Sequence, residues 1–188
     1  MIAKLIKENV VDAGKIPVYI GRFCPIHNGH EAIMRGILEA SPDNHIVFVG
    51  SCNQPISYRN IFTFEDRIDF IDQVTGGQLI TAGLPDFKND NKSWFLSLDK
   101  LIQLGGYLPK EIVFIGGCRE DIEWFEENKR ATLVVNRFEG FTQNISGTEI
   151  RDSLITGNTK RLNTLINPKI VDVVLERFNQ RWSEFKRT

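Results

Sequence analysis

Two short stretches of the chain hold side chains whose types and spacing suit phosphate chemistry. The first is Gly21-Arg22-Phe23-Cys24-Pro25-Ile26-His27-Asn28-Gly29-His30, two imidazoles around a glycine, placed after an apolar run and before an amphipathic one. A helix beginning there offers unpaired backbone N–H groups and the positive end of its dipole, which favour an anion. Gly29 leaves room for close approach, and His27 and His30, three residues apart, reach one side of the first turn as hydrogen-bond donors. The second stretch, Ile145-Ser146-Gly147-Thr148-Glu149-Ile150-Arg151, sets the hydroxyls of Ser146 and Thr148 at another helix start, with Arg151 one turn on. Each stretch read alone has a plainer meaning: a solvated cap or a satisfied core histidine for the first, a simple N-cap for the second. A metal pair at the histidines lacks a third nearby His, Cys or carboxylate. The glycine spacing fits neither a Walker loop nor G-x-G-x-x-G. Two phosphate-ready helix starts, one with paired histidines and one with an arginine, favour a bound phosphate ester.

The elements around these stretches alternate in type. Strands are predicted at Ile16–Gly21, His45–Gly50, Gln78–Ala82, Glu111–Gly116 and Ala131–Asn136, on β-branched and aromatic runs that close on glycine or polar residues. Helical spacing predicts Gly29–Ala40, Phe64–Val74 (with Thr63 and Asp66 as its cap), Trp94–Leu104, Glu120–Asn128, Thr148–Thr156 and a last helix from Pro168. The first dozen residues fit a short helix or a strand. Strands separated by helices imply a doubly wound, Rossmann-like parallel α/β sheet with C-terminal helices, one domain with a core of about 16–156 and a helical part of about 157–188. Ligands of such sheets sit at the carboxyl ends of the strands. The windows to watch are therefore Arg22–His30, Ser51–Arg59, Gly83–Trp94, Gly116–Arg119 and Arg137–Arg151.

Composition excludes several classes. With a net charge of −1 and a pI near 6.3, the chain has no global basic field for nucleic acid. Cys24, Cys52 and Cys118 are widely spaced and odd in number, which argues against a zinc site or a disulfide framework. No apolar run approaches a membrane span and no leader pattern opens the chain, so a cytoplasmic protein is expected.

Together the two stretches resemble the HxGH nucleotidyltransferase superfamily, marked by H-x-G-H after the first strand and I-S-x-T-x-I-R late in the domain. The likeness runs from about Val18 to Leu154. Within the superfamily the chain is similar to nicotinamide-mononucleotide adenylyltransferases of the archaeal type, also found joined to Nudix domains. That family's G-R-[FM]-Q-P-F-H-x-G-H stands here as Gly21–His30, with Cys24 for glutamine and Ile26 for phenylalanine. Its G-S-A/C segment, its arginine and its F-T-x-x-E-R stand as Gly50-Ser51-Cys52, Arg59 and Phe62-Thr63-Phe64-Glu65-Asp66-Arg67. Its N-x-x-W stretch has Asp86 and Asn89–Trp94 as counterpart, at a longer spacing. The length leaves no room for a Nudix domain, whose glutamate-rich helix is missing.

The resemblance implies that the phosphate of nicotinamide mononucleotide (NMN) attacks the α-phosphorus of ATP. It assigns His27, His30, Arg22 and Arg151 to the reacting phosphates, and Gly21, Phe23, Cys24, Gly29, Gly116, Ser146 and Thr148 to ATP. Arg59, Trp94, Ser51 and Asn89 fall to NMN, with Trp94 under the pyridinium ring. Magnesium accompanies ATP and is not caged by protein ligands. Trp124 and Trp182 are assigned to packing. No nucleic acid or membrane partner is expected, and the terminal helix could cover the domain or serve a homo-oligomer. Rival readings are another transferase of the superfamily (phosphopantetheine, FMN or polyol-phosphate acceptor), an adenine-nucleotide sensor, or a class I aminoacyl-tRNA synthetase fragment. The last lacks both K-M-S-K-S and a basic surface.

Overall fold

Apolar runs that close on glycine or fall silent after a few residues build a parallel sheet. In the computed structural model, which describes residues 1–135 and 145–186, the strands are β1 (Ile16–Gly21), β2 (Ile46–Gly50), β3 (Thr81–Leu84), β4 (Ile112–Gly116) and β5 (Thr132–Val134). Their order is β3-β2-β1-β4-β5 and each neighbouring pair is parallel, with Val18 in register with Ile46 on one side and Phe114 on the other. The chain winds outward from β1 to β3 and then crosses back to β4. The switch point therefore lies between β1 and β4, and a crevice opens at their carboxyl ends.

Strand residues alternate between two buried clusters, as a period of two requires. Val18, Ile46, Phe48, Ile112 and Phe114 pack with Leu98 and Ile102 of α4 (Asn91–Leu104) and Phe125 of α5 (Glu123–Glu127). Tyr19, Val47, Val49, Val113 and Ile115 share a cluster with α2 (Asn28–Ala40), α3 (Phe64–Thr75), α6 (Gly147–Ile155) and α7 (Thr159–Leu165). Val174 and Phe178 of α8 (Val171–Phe185) join the same cluster. The N-terminal segment is α1 (Ile2–Ile6), prolonged by a π-helical turn at Lys7–Val11 that buries Ile6 and Val10. The helical alternative for these residues is the one realised. No helix among the described residues is long and apolar enough to cross a membrane.

Several boundaries differ from the sequence reading, each for a local reason. β3 begins at Thr81 instead of Gln78, because Gly76 and Gly77 both take left-handed backbone after α3 and the Ile80 N–H is tied to His45 Nε2 at 3.0 Å. The expected helix Glu120–Asn128 is split into a 3₁₀ turn at Arg119–Asp121 and the short α5. There the Asp121 carboxylate accepts the Gly117 N–H at 3.0 Å, a local bond that competes with helix. α4 starts at Asn91, ahead of Trp94, since Asp90 caps it by accepting the Ser93 N–H at 2.9 Å. α7 was not foreseen, and α8 follows a 3₁₀ turn at Pro168–Ile170. The expected fifth strand is realised only as Thr132–Val134; Asn136 and the window 137–144 lie outside the described residues.

The cap of α3 is the reciprocal one expected: Thr63 Oγ1 accepts the Asp66 N–H and Asp66 accepts the Thr63 N–H, both at 3.1 Å. Asp66 also accepts from Arg181 Nε at 2.9 Å, which fastens α8 to α3. Burial pushes the Asp66 carboxyl up, but the bonds from Arg181 and Thr63 outweigh it and hold the group below its ordinary 3.8. A depressed carboxyl contributes stability above its unfolded value and loses it as pH falls through the folded one, so this fastening fails only in strong acid.

Candidate active site

The end of β1 and the start of α2 are built as one rigid turn. Gly21 closes the strand where a Cβ would collide with the Phe23 ring, and Phe23 itself holds left-handed backbone at φ 50°. Such a backbone in a bulky residue is strain that the surroundings must hold, and it is common at functional sites. His27 is the N-cap of α2: its Nδ1 accepts the His30 N–H at 3.3 Å, which leaves Nε2 as its N–H donor. The two imidazoles stack at 3.5 Å between centroids, 20° from parallel, and Phe23 meets His30 edge-on at 5.0 Å. The plain cap reading and the ligand reading of His27 thus coexist. Gly29 is buried in the first turn of α2.

Opposite stands the second stretch. Ser146 caps α6 by accepting the Glu149 N–H at 3.2 Å. Arg151, 7% exposed, donates from Nη1 to the Cys24 carbonyl at 3.3 Å and from Nη2 to Thr148 Oγ1 at 3.0 Å. A bond spanning 127 residues thereby joins the two stretches. Arg22, Phe23, Cys24, His27, His30, Arg59, Ser146, Thr148 and Arg151 line one cavity of about 270 Å³ at the carboxyl end of β1. No carboxylate lines it among the described residues. Burial lowers the Arg22 pKa, and the charges of Arg59 and Arg151 lower it further against the opposing influence of Asp86. Three cations line this cavity, and the Nε atoms of Arg22 and Arg151 are buried with no hydrogen-bond partner among the described residues.

Arg67, quoted above only as the end of the F-T-x-x-E-R match and given no role there, holds the strand ends that carry the cavity. Its guanidinium, 1% exposed, donates to the carbonyls of Arg22 at 2.9 Å, Gly50 at 2.6 Å, Ser51 at 3.2 Å and Thr63 at 3.1 Å. It pins the exits of β1 and β2 together, including the left-handed Ser51 at φ 54°. The signal was legible: Arg67 stands three, four and seven residues before Phe70, Ile71 and Val74, on the buried stripe of α3. An arginine on such a stripe must have partners.

A second cavity, of about 680 Å³, is lined by Gln54, Asp86, Phe87, Lys88, Asn91, Trp94 and Trp124. Trp94 meets Trp124 edge-on at 5.2 Å, and Phe95 stacks on Trp124 at 4.3 Å. Trp124 is packed against the core as expected, and α5 also brings it to the cavity wall beside Trp94. Asn89, expected here, lies in the left-handed turn before α4 and does not line the cavity; Asn91, on the first turn, does. Ser51 is buried and lines neither cavity, and its part is played by its carbonyl on Arg67. Gly116 ends β4 where a Cβ would strike Ile122, so it shapes the strand exit and lines neither cavity. Arg59 falls in the phosphate cavity together with the residues assigned to ATP. Among the described residues no group of three or more His, Cys, Asp and Glu could hold a metal ion.

A switch-point crevice with paired histidines, an arginine-bearing second helix start and no carboxylate among the described residues is the pattern of a nucleotidyltransferase. The chain belongs to the cytidylyltransferase-like family of the HxGH nucleotidyltransferase superfamily, whose pattern matches residues 18–153. A nicotinamide-nucleotide adenylyltransferase of Methanocorpusculum labreanum is 37% identical over 143 residues, 74% of this chain and 79% of the relative. One from Methanococcus vannielii is 29% identical over 161 residues, 84% of this chain and 86% of the relative. A phosphopantetheine adenylyltransferase of Bartonella quintana is 35% identical over 91 residues, 48% of this chain and 49% of the relative. Among solved structures, a bifunctional NMN adenylyltransferase/ADP ribose pyrophosphatase from Francisella tularensis has the same fold, with a TM-score of 0.72 at 20% identity. The match covers 92% of this chain and 54% of the Francisella one, so this chain spans about half of that protein. A further structure of the Francisella protein is complexed with AMP and a manganese ion.

Proposed function

We propose that the protein joins ATP and NMN to give NAD and pyrophosphate. The observation that carries this reading is the convergence of His27, His30, Arg22, Arg59 and Arg151 on one cavity at the switch point, with no carboxylate in its lining among the described residues, together with a second cavity walled by tryptophans. The names of the archaeal relatives support the choice of substrates.

In this scheme an oxygen of the NMN phosphate forms a bond to the α-phosphorus of ATP. The bond from that phosphorus to the bridging oxygen breaks, and pyrophosphate departs with the electron pair. The attacking phosphate is ionised near neutral pH, so no general base is needed, and catalysis rests on positioning and charge stabilisation. His27 and His30 donate to the ATP phosphates, His30 nearest the α-phosphate. Arg22 and Arg151 bear on the departing pyrophosphate, and Arg59 on the NMN phosphate. With no carboxylate in the cavity lining among the described residues, a magnesium ion would arrive on ATP, held by phosphate oxygens and water. Trp94, with Trp124 beside it, receives the nicotinamide ring; a pyridinium over an indole face gains ~1–2 kcal/mol. A flat aromatic wall favours NMN over the flexible phosphopantetheine arm.

The test is pyrophosphate release from ATP and Mg²⁺ with NMN, phosphopantetheine, FMN and a polyol phosphate compared as acceptors. Release with NMN accompanied by NAD is expected. Release with another acceptor instead would keep the phosphate cavity's role and overturn that of Trp94.

A further inference from the structure

Tyr58 precedes Arg59, which lines the first cavity, in the segment that follows β2. Its hydroxyl donates to Asp152 Oδ1 at 2.7 Å, a contact between residues 94 apart in sequence. Its ring lies 5.1 Å from the guanidinium carbon of Arg151. Arg151 is therefore held on three sides: by the Cys24 carbonyl, by Thr148 Oγ1 and by an aromatic face. Its Nε is buried and has no hydrogen-bond partner among the described residues. Arg22, Arg59 and Arg151 repel one another, as the lowered Arg22 pKa records, burial being its first cause. No carboxylate lines the cavity among the described residues; besides the charge of Asp86 on Arg22, carbonyl and hydroxyl dipoles and the negative face of the Tyr58 ring offset the cations. The bond to Asp152 pushes the Tyr58 hydroxyl up from its ordinary value, so it remains a donor at neutral pH and keeps this 36%-exposed ring in place.

We propose that Tyr58 is a positioning residue that holds the Arg151 guanidinium in place at the wall of the first cavity and fixes its separation from the adjoining Arg59. The identity of the two anions rests on the adenylyl-transfer reading above; the geometry that Tyr58 enforces does not. The hydroxyl tether orients the ring and the ring orients the cation, so the two parts of the side chain are separable.

Tyr58→Leu removes both parts and Tyr58→Phe removes only the tether. In steady-state assays with Mg·ATP and NMN, Tyr58→Leu is expected to raise KM for both substrates by roughly 3- to 30-fold, with the melting temperature unchanged. Tyr58→Phe is expected to stay within about 3-fold of the parent protein, since the ring face is retained. Calorimetric titration with Mg·ATP gives an arm that does not depend on turnover, with the same order of weakening expected. Parent-like KM values and ATP affinity in Tyr58→Leu would overturn the proposal. Equal losses in the Leu and Phe variants would overturn it too, because the ring would then contribute nothing. A parent protein inactive with every acceptor would sink the adenylyl-transfer reading alone, and ATP affinity lost in Tyr58→Leu but kept in Tyr58→Phe would still uphold the role of Tyr58.

Discussion

The two cavities at the carboxyl edge of the sheet are held in different ways. The phosphate cavity is fixed by buried polar bonds: Arg67 on four backbone carbonyls, Arg151 on Cys24 and Thr148, and His27 capping α2. The tryptophan cavity is fixed mainly by ring contacts among Trp94, Phe95, Trp124 and Phe125, with one exposed pair of bonds between Asn53 and the Asp86 backbone joining its two loops. Polar bonds in a buried site are costly to lose and exact in direction, whereas ring contacts tolerate exchange. A superfamily that keeps its nucleotide chemistry and varies its acceptor is served by this division. Under the proposed reading, the rigid half takes the phosphates and the adaptable half selects what is joined to them.

The contrast can be broken at four points. The largest effect is expected from Arg67→Met, which orphans the carbonyls of Arg22, Gly50 and Ser51. Taking the low end of about 1–3 kcal/mol per buried unsatisfied group, stability should fall by about 3–5 kcal/mol in urea unfolding. Next, His30→Ala should lower kcat by roughly 10²–10³-fold, about 2.7–4 kcal/mol, with folding stability nearly unchanged. A lowered melting temperature with intact kcat would make His30 structural. On the other side, Trp94→Ala should raise KM for NMN by roughly 5- to 30-fold and leave KM for ATP unaltered. A parallel rise in both would erase the division between the cavities. The smallest effect concerns His45, fully buried, with Nδ1 bonded to the Ser41 carbonyl and Nε2 accepting from Ile80. Burial lowers its pKa below the ordinary 6.5 despite the Ser41 bond and the charge of Asp43. A lowered folded pKa means that stability is full above about 6.5 and declines as pH falls through the folded value. The melting temperature should decline on acidification from pH 7 to 5, less so in His45→Gln.

The phosphate cavity was legible in the sequence because its parts are contiguous. Gly21–His30 and Ile145–Arg151 each bring their own strand end or cap, their own glycine and their own charge, so local rules locate them. The tryptophan cavity was half legible because its wall comes from two elements distant in sequence. Trp94 was found and Trp124 was not, since nothing local says that α5 packs beside α4. Asn89 was named as the family's asparagine, yet Asn91-Lys92-Ser93-Trp94 has the N-x-x-W spacing, and the cap at Asp90 sets Asn91 on the first turn of α4, where it meets the cavity. β3 was misplaced by three residues because its start is set by the His45–Ile80 bond and not by its own weak apolar pattern. The parallel sheet itself followed from alternation of strand and helix, a property spread along the whole chain.

Intrinsic fluorescence reads the division of labour directly, since the chain has three tryptophans, Trp94, Trp124 and Trp182. The measurement is titration with NMN of the parent protein and of the Trp94→Phe and Trp182→Phe variants. The expected result is a saturable quench by the pyridinium ring, kept in Trp182→Phe and mostly lost in Trp94→Phe. A quench of full amplitude in Trp94→Phe would put the nicotinamide ring elsewhere and contradict the assignment of the aromatic cavity to the acceptor.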